Sequence, residues 1–334
     1  MTQNAPTTDI NLERMVRRVL AVMMFAILLY GAFLVYTGLA DVGSRFVNYR
    51  WWTFCAACGL AALNYLLRFV KWEIYLGILG IRGIPKVESL LTFLSGFVLT
   101  VSPGKVGEVF KSLVLYRTRG VPVERTAPIV VAERVTDLIG IIAMITVGSL
   151  GFKGGLGWAA AGSALVFGLL VFVASPRLSG WAVRLVGNVP GPIGRVGTRI
   201  APRLVTALDQ LREMTTPSRL VVPTLLSMAS WSLEGVGLWL ILKGFAQDTT
   251  LSLSSFSYAT ATLAGAIVPL PGGLGVTDKL IEQQLTHLGG VPLAVAFSAM
   301  VLIRFATLWF AVLVGFGALG LLRRRYPSLA AASE

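Results

Sequence analysis

Two stretches decide how this chain folds: Val101-Ser102-Pro103-Gly104-Lys105-Val106-Gly107-Glu108 and Pro269-Leu270-Pro271-Gly272-Gly273-Leu274-Gly275. Each interrupts apolar sequence. The run before the first break, Val87 to Val101, has 15 residues. At ~1.5 Å per residue it spans ~22 Å, short of a ~30 Å hydrocarbon core. The run after it, Val109 to Tyr116, is shorter still, carries Lys111 and ends in Arg117 and Arg119. Two short arms joined at Pro-Gly, with basic residues at both outer ends, read as a re-entrant hairpin. Non-helical backbone at membrane depth survives only inside protein or beside a wet cavity. Leu251 to Val268 and Leu274 to Leu288 flank the second break in the same way.

The rest of the chain supports a membrane setting. Hydrophobic residues make up 55% and charged residues 13%, with a mean hydropathy of +0.75. Soluble domains carry about 25% charged residues. The net charge of +13 lies between long apolar runs, which argues for positive-inside topology and against a nucleic-acid face. Residues 1–13 form a disordered cytoplasmic tail, 14–325 a single membrane domain, and 326–334 a second cytoplasmic tail. Val19 to Ala40 is the first span. The next starts at Trp51 and ends in Arg68 and Lys71, which snorkel to the cytoplasmic interface. Ala127 to Leu150, Leu156 to Ala174, Leu220 to Leu242 and Leu293 to Leu322 are further crossings. Residues 177–219 are a basic connector whose second half lies on the inner leaflet. On this map twenty of the 29 Lys and Arg face the cytoplasm, against four outside (Arg45, Arg50, Lys153 and Lys243). Both termini are then cytoplasmic. Cys55 and Cys58 fall within an apolar run and read as small packing residues. The single His287 forms no metal cluster by itself, and no cofactor or metal is expected.

The two breaks belong to a repeat. Pro103-Gly104-x-x-Gly107 and Pro271-Gly272-x-x-Gly275 share their spacing. Trp72 precedes the first proline by 31 residues and Trp239 precedes the second by 32; Arg134 follows the first by 31 and Arg304 the second by 33. Repeat one covers about 51–150 and repeat two about 220–322. One extra crossing separates them, so their topologies are inverted, as in secondary transporters. The expected fold is an all-α polytopic membrane protein of two inverted-topology repeats, each with a broken re-entrant hairpin.

Three motifs, Val101 to Glu108, Ala132-Glu133-Arg134-Val135-Thr136-Asp137 and Val268 to Val276, resemble the lysylphosphatidylglycerol synthase transmembrane family. This is the flippase-like membrane domain of the multiple peptide resistance factor, found also as stand-alone proteins in bacteria and archaea. The resemblance covers roughly residues 15 to 325. It implies a prokaryotic cytoplasmic membrane and either lipid translocation or a role beside lipid-linked sugar assembly. The family commonly has Glu where this chain has Asp278. The soluble aminoacyl-transferase domain of the bifunctional members is not expected here, so lipid aminoacylation is not implied.

Charges at mid-bilayer cost at least ~2.5–3.5 kcal/mol each, which makes them candidates for function. Lys105, Glu108, Lys111, Arg134, Lys279 and Arg304 are the candidate substrate-binding residues. Arg134 has Asp137 at i,i+3, whereas Arg304 has no acid within four residues. Its partner must be Glu108, Asp278, Glu282 or a ligand. Gly104, Gly107, Gly272, Gly273 and Gly275 let backbone N–H groups approach a phosphate, at half-helix N-termini opened by Val106 and Leu274. Glu133, Asp137, Glu234, Asp278 and Glu282 either carry protons or balance the cations. The function that follows is transport of an anionic lipid or polyprenyl-phosphate-linked group. A non-transporting membrane partner of a lipid synthase or glycosyltransferase is the alternative. A membrane-embedded transferase ranks lower, since no Ser/Cys–His pair or Asp-rich motif is present.

Overall fold

The computed structural model describes residues 46–102, 108–149, 205–268 and 270–326, with isolated positions elsewhere. The expected spans Val19 to Ala40 and Leu156 to Ala174, the tails and most of the connector lie largely outside the described residues. So do Pro103, Gly104, Lys105, Val106 and Gly107 of the first break.

All regular structure among the described residues is helical. Helix α1 is Trp51–Ile78, followed by α2, Lys86–Ser95, which tightens into a 3-10 turn at Gly96–Leu99. Helix α3 is Phe110–Arg119 and α4 is Val123–Ser149. The second unit runs α5, Pro217–Gly244; α6, Leu251–Ile267; and α7, Val276–His287. It ends in α8, Leu293–Arg304, a π-helical turn at Phe305–Trp309, and α9, Phe310–Arg325. Among the described residues three helices are long and apolar enough to cross a membrane: Trp51–Ile78, Pro217–Gly244 and the continuous rod Leu293–Arg325. Helix α4 has the length but carries Glu133, Arg134 and Asp137. Large apolar side chains such as Leu63, Leu66, Val222 and Leu225 point outward on α1 and α5, as lipid-facing surface does.

The second break is where the spacing placed it. Helices α2 and α3 pack against each other, and so do α6 and α7. At the second break Gly272, Gly273 and Gly275 have φ of +60°, +66° and +84°, a region that side chains with a Cβ rarely enter.

Contacts between the units are reciprocal. Helix α1 packs on α5, the leading helix of each unit on the other. Helix α4 packs on α6, the first arm of the other unit's break, and α9 packs on α2. Glycines permit both approaches: a Cβ at Gly148 would lie 2.9 Å from Phe256 Cβ, and one at Gly315 would lie 2.6 Å from the Val98 nitrogen. Trp72 and Trp239 each hydrogen-bond to the segment that leads into the next helix or to that helix. Trp72 Nε1 donates to Ser89 Oγ on α2 (3.2 Å), and Trp239 Nε1 donates to the Thr249 carbonyl just before α6 (3.1 Å).

Two expectations change. Arg68 and Lys71 do not snorkel: they are 7% and 0% exposed. Helix α1 runs on to Ile78, and its 28 residues span ~42 Å, so neither residue lies at its end. The second half of the connector is also not only a leaflet-lying segment. Leu211 and Met214 are buried with Trp72, Tyr75 and Ile129 in one apolar cluster.

Candidate functional site

Helix α4 brings the first unit's charges together. Over its third and fourth turns Glu133, Arg134 and Asp137 point toward α1 and α3. Glu108, just past the first break, is 1% exposed and accepts from Arg134 Nη2 at 2.9 Å and Arg68 Nη2 at 3.2 Å. The hydroxyl of Thr100 adds a third donor at 3.3 Å. Arg134 also stands 3.2 Å from Asp137, the i,i+3 pair that the spacing anticipates. Asp137 receives Lys71 Nζ at 2.6 Å and Ser227 Oγ at 3.0 Å. Lys111 reaches Glu133 at 2.6 Å, with the Trp72 and Phe93 rings 4.8 and 5.1 Å from its ammonium. Four cations (Arg68, Lys71, Lys111 and Arg134) thus meet three carboxylates. The described cluster carries one positive charge in excess when all are ionised.

The second unit repeats one element of this arrangement. Asp278, past the second break, lies 2.8 Å from Arg304 Nε, and Arg304 Nη2 donates to the Gly272 carbonyl at 2.5 Å. This supplies the acid that Arg304 lacks on its own helix. Asp278 also accepts the Gly275 N–H at 2.8 Å. Helix α7 begins at Val276, not Leu274, and its first turn is capped by its own carboxylate. The half-helix N-terminus expected to hold a phosphate therefore already holds an anion. Lys279 pairs with Glu282 at 2.8 Å, its side chain 48% exposed.

Between the units lies a cavity of about 230 Å³. Arg68, Arg134 and Arg304 line it, with Asp137 and with Gly272 and Gly273 of the second break. On a further wall Glu234 accepts hydrogen bonds from Asn64 Nδ2 and from Tyr258 OH, the latter at 3.2 Å. Beside them Tyr65 OH donates to the Thr307 carbonyl at 3.2 Å, inside the π-helical turn that follows Arg304. Such turns loosen the backbone ladder and occur often at functional sites.

Of the residues singled out in the sequence, Arg134, Asp137, Glu234, Arg304, Gly272 and Gly273 meet at the cavity. Glu108 stands behind two of its arginines. Pro271 and Gly275 shape the break beside it. Lys111, Glu133, Lys279 and Glu282 are not on its wall. Arg68, Lys71, Asn64 and Tyr258 were not anticipated. Arg68 and Lys71 share an i,i+3 face with the polar Asn64 one turn earlier, a polar stripe inside an apolar helix that marks a buried site.

The model of the family described as lysylphosphatidylglycerol synthase TM region matches residues 19–315. The chain belongs to this family. As a family member it is a membrane protein, in keeping with the three membrane-length apolar helices among the described residues. A relative described as "UPF0104 membrane protein", from Methanothermobacter thermautotrophicus, is 28% identical over 151 residues. That match spans 44% of each chain. Within the family member the paired breaks, Glu108–Arg134 and Asp278–Arg304, all fall in the matched region.

Proposed function

We propose that this family member is a flippase-like transporter that moves an anionic lipid, or a polyprenyl-phosphate-linked group, across the cytoplasmic membrane with both termini on the cytoplasmic side. One observation carries the reading: the buried guanidinium groups of Arg68 and Arg304 and the partly exposed one of Arg134, from three helices, line one cavity between two units joined by reciprocal contacts. Guanidinium groups bind phosphate through paired N–H donors. The excess positive charge on the α1–α3–α4 cluster favours an anion there, where burial weakens screening. The volume supports a headgroup and not a whole lipid. At about 230 Å³ it falls below the ~300–1,000 Å³ of drug-sized pockets, so acyl or prenyl chains stay in the bilayer. Inverted repeats that meet at a midplane site are the architecture of alternating access. The Pro-Gly breaks would supply the bending points, and the arms would enter from opposite faces.

Native mass spectrometry of the protein purified in mild detergent tests this. The expected result is a co-purifying anionic lipid whose occupancy falls in Arg134→Gln and Arg304→Gln. Retention of only neutral lipids, unchanged in both variants, contradicts the reading.

A further inference from the structure

We propose that Asn64 and Arg68 read the lipid headgroup as a couple: Arg68 Nε donates to the phosphate, and Asn64 Oδ1 accepts from a hydroxyl beside it on the same headgroup. The proposal rests on the transport reading above and names the headgroup class, a phosphodiester that carries a hydroxyl.

Among the described residues, Asn64 Oδ1 accepts no hydrogen bond and Arg68 Nε donates none. Both side chains line the cavity, and they are 4% and 7% exposed. A buried polar atom left unmet costs free energy, so each calls for a ligand atom of the opposite kind. Asn64 and Arg68 stand at i and i+4 on α1, with Cβ atoms about 5–6 Å apart on one face. The vacant acceptor and the vacant donor therefore lie one helical turn from each other. The amide is also held the right way round. Its Nδ2 donates to Glu234, and a carboxylate only accepts, so the oxygen is the atom turned away. Glu234 is in this respect a positioning residue, and further contacts of its own do not change which end of the amide faces it. On the guanidinium, Nη2 is engaged by Glu108 at 3.2 Å and Cζ lies 5.4 Å from the centre of the Phe97 ring.

A phosphate oxygen only accepts, whereas a hydroxyl can donate. A phosphodiester headgroup meets both atoms at once when the carbon next to its ester carbon bears a hydroxyl. Glycerol esters have this pattern, and so do sugar phosphates. Arg134 and Arg304 line the same cavity and can add donors to the phosphate oxygens. Tyr65, Trp231 and Tyr258, all buried, line it with Asn64 and offer apolar surface to the carbon skeleton of a polyol. An ammonium headgroup is the competing donor. It brings three N–H groups and a full charge beside Arg68, where a hydroxyl brings one donor and no charge.

Native mass spectrometry titrations of the full-length protein in mild detergent test this with four dihexanoyl lipids: phosphatidylglycerol, phosphatidylinositol, phosphatidylpropanol and phosphatidylethanolamine. Phosphatidylpropanol has the charge and length of phosphatidylglycerol without its hydroxyls. Wild type should bind phosphatidylglycerol or phosphatidylinositol about tenfold more tightly than phosphatidylpropanol, the effect of roughly one buried hydrogen bond. Which of those two binds more tightly tells a glycerol headgroup from a ring polyol such as a sugar. Asn64→Leu should bind all three at the phosphatidylpropanol affinity. Equal binding of the three by the wild type overturns the proposal, and this arm needs no variant to fold. A hydroxyl preference that persists in Asn64→Leu overturns it too. So does tighter binding of phosphatidylethanolamine than of both hydroxyl lipids, lost in Asn64→Leu, which would assign the oxygen to an ammonium. Lipid movement is measured separately in proteoliposomes of the wild type. Movement with equal binding of the three refutes the couple and leaves transport standing. A hydroxyl preference without movement refutes transport and leaves the couple standing.

Discussion

Arg304 Nε lies 2.8 Å from Asp278, as Arg134 Nη2 lies 2.9 Å from Glu108. In each unit the acid just past the Pro-Gly break is bound by the arginine of the following long helix. Such a pair ties the break to the helix. Removing one partner of a buried pair typically costs about 3–5 kcal/mol, because the other is left as an uncompensated charge, whereas replacing both by apolar groups is often neutral. Arg304→Met alone should therefore lower the melting temperature in detergent strongly. The double variant Arg304→Met with Asp278→Leu should recover most of it, yet bind no anionic lipid. Recovery of lipid binding along with stability would show that the pair is only structural.

Gly272 makes a narrower prediction. Its φ is +60°, and a Cβ there would lie 3.2 Å from Leu308 on the π-helical turn. Backbone strain of this kind costs about 1–3 kcal/mol. Gly272→Ala should destabilise by that order and reduce lipid movement beyond the loss of folded protein, because the Gly272 carbonyl also holds Arg304. Thermal melts and translocation measured on one preparation separate the two effects. A fully active, equally stable variant would show that the positive φ is dispensable.

A clamp at the end of α2, read as cytoplasmic, gives a pH dependence. Glu88 accepts Arg119 Nε at 2.6 Å and the Tyr326 hydroxyl at 2.6 Å. The Arg119 hydrogen bonds hold its carboxyl below the usual range, against the opposing effect of burial. A lowered folded value means stabilisation that is complete above the unfolded carboxyl value of about 4.3 and lost as pH falls through the lower folded one. Wild type should melt above Glu88→Gln at neutral pH, and the gap should close on acidification below about pH 4. A gap that stays constant across this range would remove the clamp from the account.

Sidedness is open to direct labelling. In a background lacking Cys55 and Cys58, single cysteines at Arg117, near the end of α3, and at Leu288, just past α7, should react with impermeant reagents from opposite faces. Labelling of both from one face contradicts inverted units. It would leave the reciprocal packing of α4 on α6 and α9 on α2 as a feature of a different topology.

The arms and the second break were legible because periodicity, length and Pro-Gly punctuation are local. The α2 and α6 ends fall within a few residues of the stretches marked in the sequence, and Arg134 meets its i,i+3 acid Asp137. What could not be read depends on distant residues meeting. Arg68 sits 17 residues into α1, where a span of ordinary length would reach the interface. Only the extra turns through Trp72 to Ile78 place it inside. Asp278 and Arg304 are 26 residues apart, and only the packing of α7 on α8 makes them a pair. Glu234 was visible as a lone acid in an apolar helix, but its partners Asn64 and Tyr258 come from two other helices, so its chemistry was not.

The most direct test of the central claim is translocation by the pure protein. Proteoliposomes carrying a fluorescent anionic phospholipid, with outer-leaflet fluorescence bleached by an impermeant reductant, report movement between leaflets. Arg304→Lys keeps the charge but loses the planar fork that meets Asp278 and the Gly272 carbonyl at once. Lipid movement well above that of protein-free liposomes is expected for the wild type. In Arg304→Lys most of that movement should be lost, while the protein still folds, as its melting curve would show. Wild-type protein that moves lipid no faster than empty liposomes, or Arg304→Lys that moves it at the wild-type rate, would contradict the account.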